Sequence, residues 1–134
     1  MRIPIYQIDA FSSQPFKGNP AAVFPLEEWL PDDVMQSIAM ENNLSETAFF
    51  VKNEDQYDIR WFAPKIEIDL AGHPTLATAH VIFNEMNHQG DSITFNSKIG
   101  DTLDITRNKD IISMNFPSRP PKKIYKKELI EEAI

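Results

Sequence analysis

Residues 66–83 read IEIDLAGHPTLATAHVIF, a short strand pattern that turns at Gly72 into the pattern of a helix. The helical part carries apolar residues on nearly every side, namely Leu76, Ala77, Ala79, Val81, Ile82 and Phe83. A helix without a wide polar stripe belongs inside a molecule, because an amphipathic surface helix would show one polar face. We therefore expect this helix to lie in the core, enclosed by strands, as the axis of the fold.

The junction at Gly72 also suggests a binding position. Glycine allows the turn, and Pro74 suits the first helical position, where a missing N–H has no intrahelical partner to lose. His73 then lies at the start of the helix, where free backbone N–H groups and the positive end of the helix dipole favour a carboxylate or phosphate. An ordinary strand–turn–helix junction has the same residue pattern, so the residue types alone leave both interpretations open.

Composition narrows the class of protein. A chain of 134 residues is expected to form one domain with a proper core. Thirteen basic against twenty acidic residues give a net charge of −7, which argues against a nucleic-acid partner. The chain has no cysteine, which excludes disulfides, thiolate metal sites and catalytic thiols. It also lacks the run of about eighteen apolar residues that a membrane span needs, and we expect a soluble, cytoplasmic protein with no membrane partner.

Strand patterns flank the apolar helix on both sides. They fall at residues 3–8, 21–24, 47–51, 57–62, 93–95, 103–105 and 111–116, separated by turns rich in Gly, Asn, Asp and Pro. A further helix is predicted to begin at Pro31 with Asp32 and Asp33 in its first turn, and to end at Asn42 and Asn43. These elements predict an α+β fold in which a curled, mainly antiparallel sheet surrounds a central buried helix.

The C-terminal residues differ in composition from the rest of the chain. Three prolines interrupt regular structure, and a basic patch follows, consisting of Arg119, Lys122, Lys123, Lys126 and Lys127. We interpret this patch as a solvated linker, and residues 128–134 as the beginning of a helix that is still under way where the sequence stops. The predicted organisation is a lobe at residues 1–120 and a basic linker with the start of a helix at residues 121–134.

Glu46 is the strongest single candidate for acid–base chemistry. It follows Asn42, Asn43 and Ser45 and immediately precedes an apolar strand, so its carboxyl group is expected at the edge of the core. Partial burial at such an edge favours a carboxyl group that gains and loses a proton near neutral pH. The alternative is a solvated glutamate that caps the strand, and the spacing alone favours this alternative.

The other titratable residues near this candidate point to chemistry less strongly. His73 could handle a proton beside Glu46, whereas Asp69 is expected to be an exposed strand residue. His80 has apolar neighbours and no acidic partner at ligand spacing, so we predict a satisfied core histidine and no metal site. His88 lies in a polar turn and is predicted at the surface.

Five segments, taken in order and spacing, resemble one known family. They are residues 9–11 (DAF), 18–23 (GNPAAV), 43–49 (NLSETAF), 60–64 (RWFAP) and 69–77 (DLAGHPTLA). Together they are similar to the phenazine biosynthesis PhzF-like family. The resemblance implies a diaminopimelate-epimerase-like fold of two similar lobes, each a sheet curled round a central helix, with the active site in the cleft between them. By this resemblance the chain looks like the N-terminal half only.

The resemblance also implies residue roles. Glu46 matches the acid–base carboxylate of a cofactor-independent isomerase that moves a proton on a small carboxylic acid. His73 matches a proposed proton handler, and Asn19, Ser45, Gly72 and His73 match substrate-binding positions. No metal and no cofactor are implied. Related epimerases use two thiols, which the absence of cysteine excludes here.

The implied partners are a small carboxylate substrate and either a complementary second lobe or a second copy of the chain in a homodimer. The second interpretation is a half-domain without catalysis that binds a small anion or serves in assembly. The acid–base residues favour the first interpretation, and the resemblance to one half of the family favours the second.

Overall fold

The computed structural model describes residues 4–10, 19–86, 88–109 and 111–115. Its elements, in chain order, are β1 (Tyr6–Ala10), β2 (Asn19–Leu26), α1 (Asp32–Asn42), β3 (Glu46–Asn53), β4 (Gln56–Phe62), β5 (Glu67–Ile68), α2 (Gly72–Glu85), β6 (Ser92–Ser97), β7 (Thr102–Asn108) and β8 (Ile111–Asn115). The predicted linker and helix start at residues 121–134 lie outside the described residues.

The described strands form one sheet in the order β1-β2-β3-β4-β6-β7-β8, with β5 paired to β4. Neighbours are antiparallel except for the pairs β2–β3 and β4–β6. A parallel pair needs a crossover connection, and α1 and α2 supply these two crossovers. The edge strands β1 and β8 both contact α2, so the sheet curls around that helix. The predicted α+β architecture is confirmed.

The two faces of the sheet bury different helices. Neighbouring residues on a strand point to opposite faces, and on β3 Phe50 packs in the cluster around α2 whereas Phe49 packs against α1. The Phe49 ring stacks on Phe24 at 5.1 Å and meets Phe62 edge-on at 5.5 Å. The sheet is therefore buried on its inner face by α2 and, over β2, β3 and β4, on its outer face by α1.

Helix α1 has the ends that its sequence predicts. It begins after Pro31 with Asp32 and Asp33 in the first turn, where carboxylates interact well with the helix dipole. It ends at Asn43, whose left-handed backbone (φ 54°) lets its N–H donate to the carbonyl of Ala39. Asparagine adopts this conformation more readily than most residues, which explains the stop.

Helix α2 is buried over most of its surface, but one narrow stripe reaches solvent. Leu76 is half-buried, and His80 and Asn84 are exposed, at the four-residue spacing that places them on one face. The prediction that His80 is a core histidine is therefore wrong. Its Nδ1 lies 3.1 Å from the side-chain nitrogen of Asn84. The physical reason is that an open sheet with two edges cannot enclose the whole circumference of a helix.

Two smaller expectations also need correction. Helix α2 starts at Gly72 with Ala71 as N-cap, so Pro74 is the third helical residue and not the first. Its missing N–H still falls within the first turn, where no intrahelical acceptor exists. His88 is half-buried, with Nε2 2.8 Å from the carbonyl of Ser92 and its ring edge against Phe83, so the polar turn around it does not place it fully at the surface.

Neither α1 nor α2 combines the length and the apolar character that a membrane span requires. Among the described residues, no cluster of three or more metal-ligating side chains is present.

Candidate functional site

Glu46 and His73 meet where β3 and α2 both begin. Glu46 is the first residue of β3 and His73 is the second residue of α2. The Nε2 atom of His73 lies 3.0 Å from Oε2 of Glu46, and the two side chains are only 7% and 15% exposed. The structure therefore brings together the two residues that the sequence singled out for proton chemistry.

Local strand geometry explains this meeting. Side chains alternate along a strand, so Glu46 shares the inner face of the sheet with Ala48 and Phe50, both of which pack around α2. Because Glu46 comes first on β3, its side chain lies at the end of the sheet where α2 starts. The carboxylate is thereby held against the N-terminal turn of the helix.

Both facing atoms are shielded from solvent. Oε2 of Glu46 and Nε2 of His73 have almost no accessible surface, and their 3.0 Å contact lacks the alignment of a hydrogen bond. Buried carboxylate oxygens normally accept aligned hydrogen bonds, and exceptions call for a specific explanation.

The remaining predicted site residues lie at the same end of the sheet. Asn19 is the first residue of β2, two residues before Ala21, which is the register partner of Glu46. Ser45 is exposed and directly precedes Glu46, and Gly72 is half-buried at the first helical position. Asp69 is exposed, as expected, and lies outside the pair.

The start of α2 also offers donors to an anion. Its N-cap is Ala71, and no side chain caps the helix. The N–H groups of a first turn have no intrahelical acceptor, and the helix dipole adds positive potential there. A carboxylate bound at this point would lie directly beside His73 and Glu46.

Sequence reasoning missed the role of Arg60, which lies on the outer face of β4. Its guanidinium donates from Nε and from one terminal nitrogen to the two carboxylate oxygens of Glu67, both at 2.7 Å, and from the other to Asp32 at 3.0 Å. Arg60 is almost fully buried and also lies 5.5 Å from the ring of Trp29. Arg60 joins β4 to β5 and to the start of α1. The sequence alone does not show these partners, because they meet only once the pairing of the strands is known.

This ion-pair cluster gives stability a predictable pH dependence. Hydrogen bonds from Arg60 hold the pKa of the Glu67 carboxyl below its usual value of 4.5, although burial opposes the shift, and the charges of Arg60 and Lys98 lower it further. A lowered folded-state pKa contributes stability that is complete above the unfolded value and is lost as the pH falls through the folded value. The contribution of Glu67 is therefore expected to be constant near pH 7 and to decline below about pH 4.5.

Urea unfolding of wild type and Glu67→Gln between pH 7 and pH 3 measures this contribution as the difference between two free energies of unfolding. The difference is expected to shrink as the pH falls. Arg60→Lys is the matched control, because lysine keeps the charge but cannot form the two-pronged contact, and the pH-dependent part should be smaller in that background. Parallel curves for wild type and Glu67→Gln over the whole range would contradict the assignment.

The sheet curls around α2, and a carboxylate and an imidazole meet at the start of that helix. The family model described as phenazine biosynthesis-like protein matches residues 8–133, and the chain belongs to this family.

Relatives agree with this assignment. An uncharacterized isomerase of Pseudomonas aeruginosa is 47% identical over 121 residues, covering 90% of this chain and 46% of the relative. A mouse phenazine biosynthesis-like domain-containing protein is 41% identical, covering 100% of this chain and 50% of the relative. The chain thus spans about half the length of the curated relatives it matches.

Solved structures support the fold independently. The crystal structure of a PhzF family protein from Enterococcus faecalis superposes with a TM-score of 0.80 and 53% identity, over 84% of this chain and 43% of that one. A predicted epimerase from Pseudomonas aeruginosa, at 24% identity and a TM-score of 0.66, shares the fold.

Proposed function

We propose that this chain provides one lobe of a cofactor-independent isomerase that moves a proton between carbons of a small carboxylic acid. The observation that carries the proposal is the shielded 3.0 Å contact between His73 and Glu46 at the start of α2. The relatives support the reaction class, because they include proteins described as isomerases. Isomerisation by proton transfer needs one group that both accepts and returns a proton, and a carboxylate meets that need.

The proposed step has three parts. Glu46 accepts a proton from a C–H bond of the substrate, and the electron pair of that bond enters the conjugated system of the acid. The protonated Glu46 then returns the proton to a second carbon. Bonds and electrons balance without an oxidant, a reductant or a second substrate.

The other site residues serve binding and positioning in this proposal. The substrate carboxylate is held by N–H groups of the first turn of α2, beginning at Gly72. His73 orients the substrate and handles a proton beside Glu46. We assign further substrate contacts to Ser45, which directly precedes β3, and to Asn19, the first residue of β2.

The partner belongs to the proposal as well. The matched relatives are about twice as long as this chain, so we propose that a second lobe closes the cleft, supplied either by a complementary lobe or by a second copy of this chain. In a symmetric dimer, an isologous interface would set Glu46 and His73 of one chain against the same residues of the other.

Light scattering across a dilution series tests the dimer. A homodimer is expected to give twice the chain mass of 15.4 kDa at micromolar concentration, falling toward the single-chain value on dilution. A constant mass of 15.4 kDa with a cooperative unfolding transition would rule out the homodimer and leave the complementary lobe.

Proton exchange with solvent tests the catalytic role. The protein is incubated in D2O with a panel of small unsaturated and amino-substituted carboxylic acids, and loss of C–H signals is followed by NMR. Deuterium entering a carbon position of one acid is the expected result for the homodimer, at a rate that follows the dimer population measured by light scattering. Binding of an acid without exchange would support the second candidate, a non-catalytic lobe for small-anion binding, which the match to half of each relative favours.

A further inference from the structure

A buried chain of hydrogen bonds links β4 to the start of α2. The indole nitrogen of Trp61 donates to the hydroxyl oxygen of Thr75 at 2.9 Å. The Thr75 hydroxyl in turn donates to the carbonyl of Ala71 at 2.6 Å. Trp61 is 1% exposed and Thr75 is 0% exposed, so water does not compete for these bonds.

The direction of both hydrogen bonds follows from the chemistry of the groups. An indole nitrogen can only donate, and a backbone carbonyl can only accept. A hydroxyl has one hydrogen and two lone pairs, so Thr75 can accept from Trp61 while it donates to Ala71. Thr75 therefore connects β4 to the start of α2 by side-chain hydrogen bonding.

The network connects α2, which carries His73, to β4, the neighbour in the sheet of the strand that carries Glu46. Trp61 is the register partner of Ala48, which lies two residues beyond Glu46 on β3. At the other end, Ala71 is the N-cap of α2 and stands two residues before His73. The same Trp61 also pairs through its backbone with Ile68 of β5.

Trp61 therefore contacts the chain on both sides of the connection from β5 to α2. Its backbone pairs with Ile68 before the connection, and its indole nitrogen donates to Thr75 after it. His73 lies between these two points. Any change in the helix start relative to β4 would alter the separation of His73 and Glu46, because β4 and β3 are neighbouring strands of one sheet.

We propose that Trp61 and Thr75 are positioning residues, which hold His73 at its contact with Glu46. The catalytic relevance of this role rests on the proposed function, whereas the positioning itself is a property of the fold and can be tested without substrate. The role also gives a physical reason for Trp61, in a segment (residues 60–64) that the acid–base chemistry does not use.

The chain offers a matched control in Thr78. Its hydroxyl donates to the carbonyl of Pro74 at 2.7 Å, four residues earlier, as that of Thr75 does to Ala71. Thr78 is also 0% exposed. Among the described residues, the hydroxyl of Thr78 bonds within the helix, whereas the hydroxyl of Thr75 also bonds to β4.

The test compares Thr75→Val, Thr75→Ser and Thr78→Val by NMR, with and without Glu46→Gln. The first readout is the indole N–H signal of Trp61, which is expected to shift and exchange with solvent faster in Thr75→Val. The second is the change in the ring signals of His73 that Glu46→Gln causes. This change measures the contact between the two residues, and it is expected to be strongly reduced in Thr75→Val but retained in Thr75→Ser and in Thr78→Val.

The proposal would be overturned if Glu46→Gln changed the His73 ring signals by the same amount in Thr75→Val as in Thr78→Val. This holds even if both variants are less stable than wild type. Should Thr75→Val fail to fold, Trp61→Phe removes the indole donor of the same hydrogen bond. It is then read only by the second readout, the change that Glu46→Gln causes in the ring signals of His73. In the D2O exchange assay, Thr75→Val is expected to lower the rate by about 10- to 100-fold with binding unchanged, since small misplacements of reacting groups are costly. A positive NMR result together with an unaffected exchange rate in Glu46→Gln would retain the positioning and reject the proposed function.

Discussion

In the assembly closed by a second lobe, Glu46→Gln is expected to abolish measurable exchange of carbon-bound hydrogen with solvent while leaving substrate binding largely intact. The substitution keeps the shape of the side chain and its position at the start of β3, but an amide cannot accept and return a proton as a carboxylate does. General acid–base catalysis by one positioned group contributes on the order of 10²- to 10⁴-fold, so a rate loss of at least this size should follow.

The measurement is deuterium incorporation from D2O, followed alongside the dissociation constant of the same acid. Asp69→Asn is the matched control, because Asp69 is an exposed acid on the segment that leads into α2. We expect Asp69→Asn to exchange at the wild-type rate. Wild-type exchange by Glu46→Gln would remove Glu46 from the role of base.

The adjacent substitutions Ala79→Asp and His80→Asp are expected to differ widely in their effect on stability. Ala79 is 0% exposed in the cluster around α2, and an aspartate there would be a buried charge without a partner. Leaving such a charge in a core costs roughly 3–5 kcal/mol of the free energy of unfolding. At His80, on the exposed stripe, the change should stay within about 0.5 kcal/mol.

Urea unfolding at pH 7 decides between the two positions. The pair is well matched, because both substitutions introduce the same side chain into the same helix one residue apart. Equal losses of stability at the two positions would mean that the stripe of Leu76, His80 and Asn84 is covered. A small loss for Ala79→Asp would mean that α2 is not the core of the fold.

Much of the fold can be read from local patterns. The apolar residues of α2 predict a buried helix, and the residues around Pro31 and Asn43 define the ends of α1 closely. These features depend on interactions between residues close in sequence, such as helix capping and the spacing of apolar side chains. The family resemblance likewise rests on short segments whose order along the chain is visible without a structure.

The contacts that form the site depend on partners far apart in sequence. Three of these contacts require the pairing of β3, β4 and β5. They are the 3.0 Å contact between His73 and Glu46, the hydrogen bonds from Arg60 to Glu67 and Asp32, and the hydrogen bond from Trp61 to Thr75. Residue type identified Glu46 and His73 as candidates. It did not indicate that Arg60 and Trp61, on opposite faces of β4, form the contacts that join this strand to its neighbours.

The exposure of His80 could not be predicted from its neighbours in the sequence. Its neighbours Ala79 and Val81 are both 0% exposed, and by composition alone the residue between them belongs to the same buried helix. Apolar periodicity determines that a helix is buried, because burial of that much apolar surface drives folding. How far a sheet closes around the helix depends on strand number, twist and edges, so only the tertiary structure decides which face of α2 meets solvent.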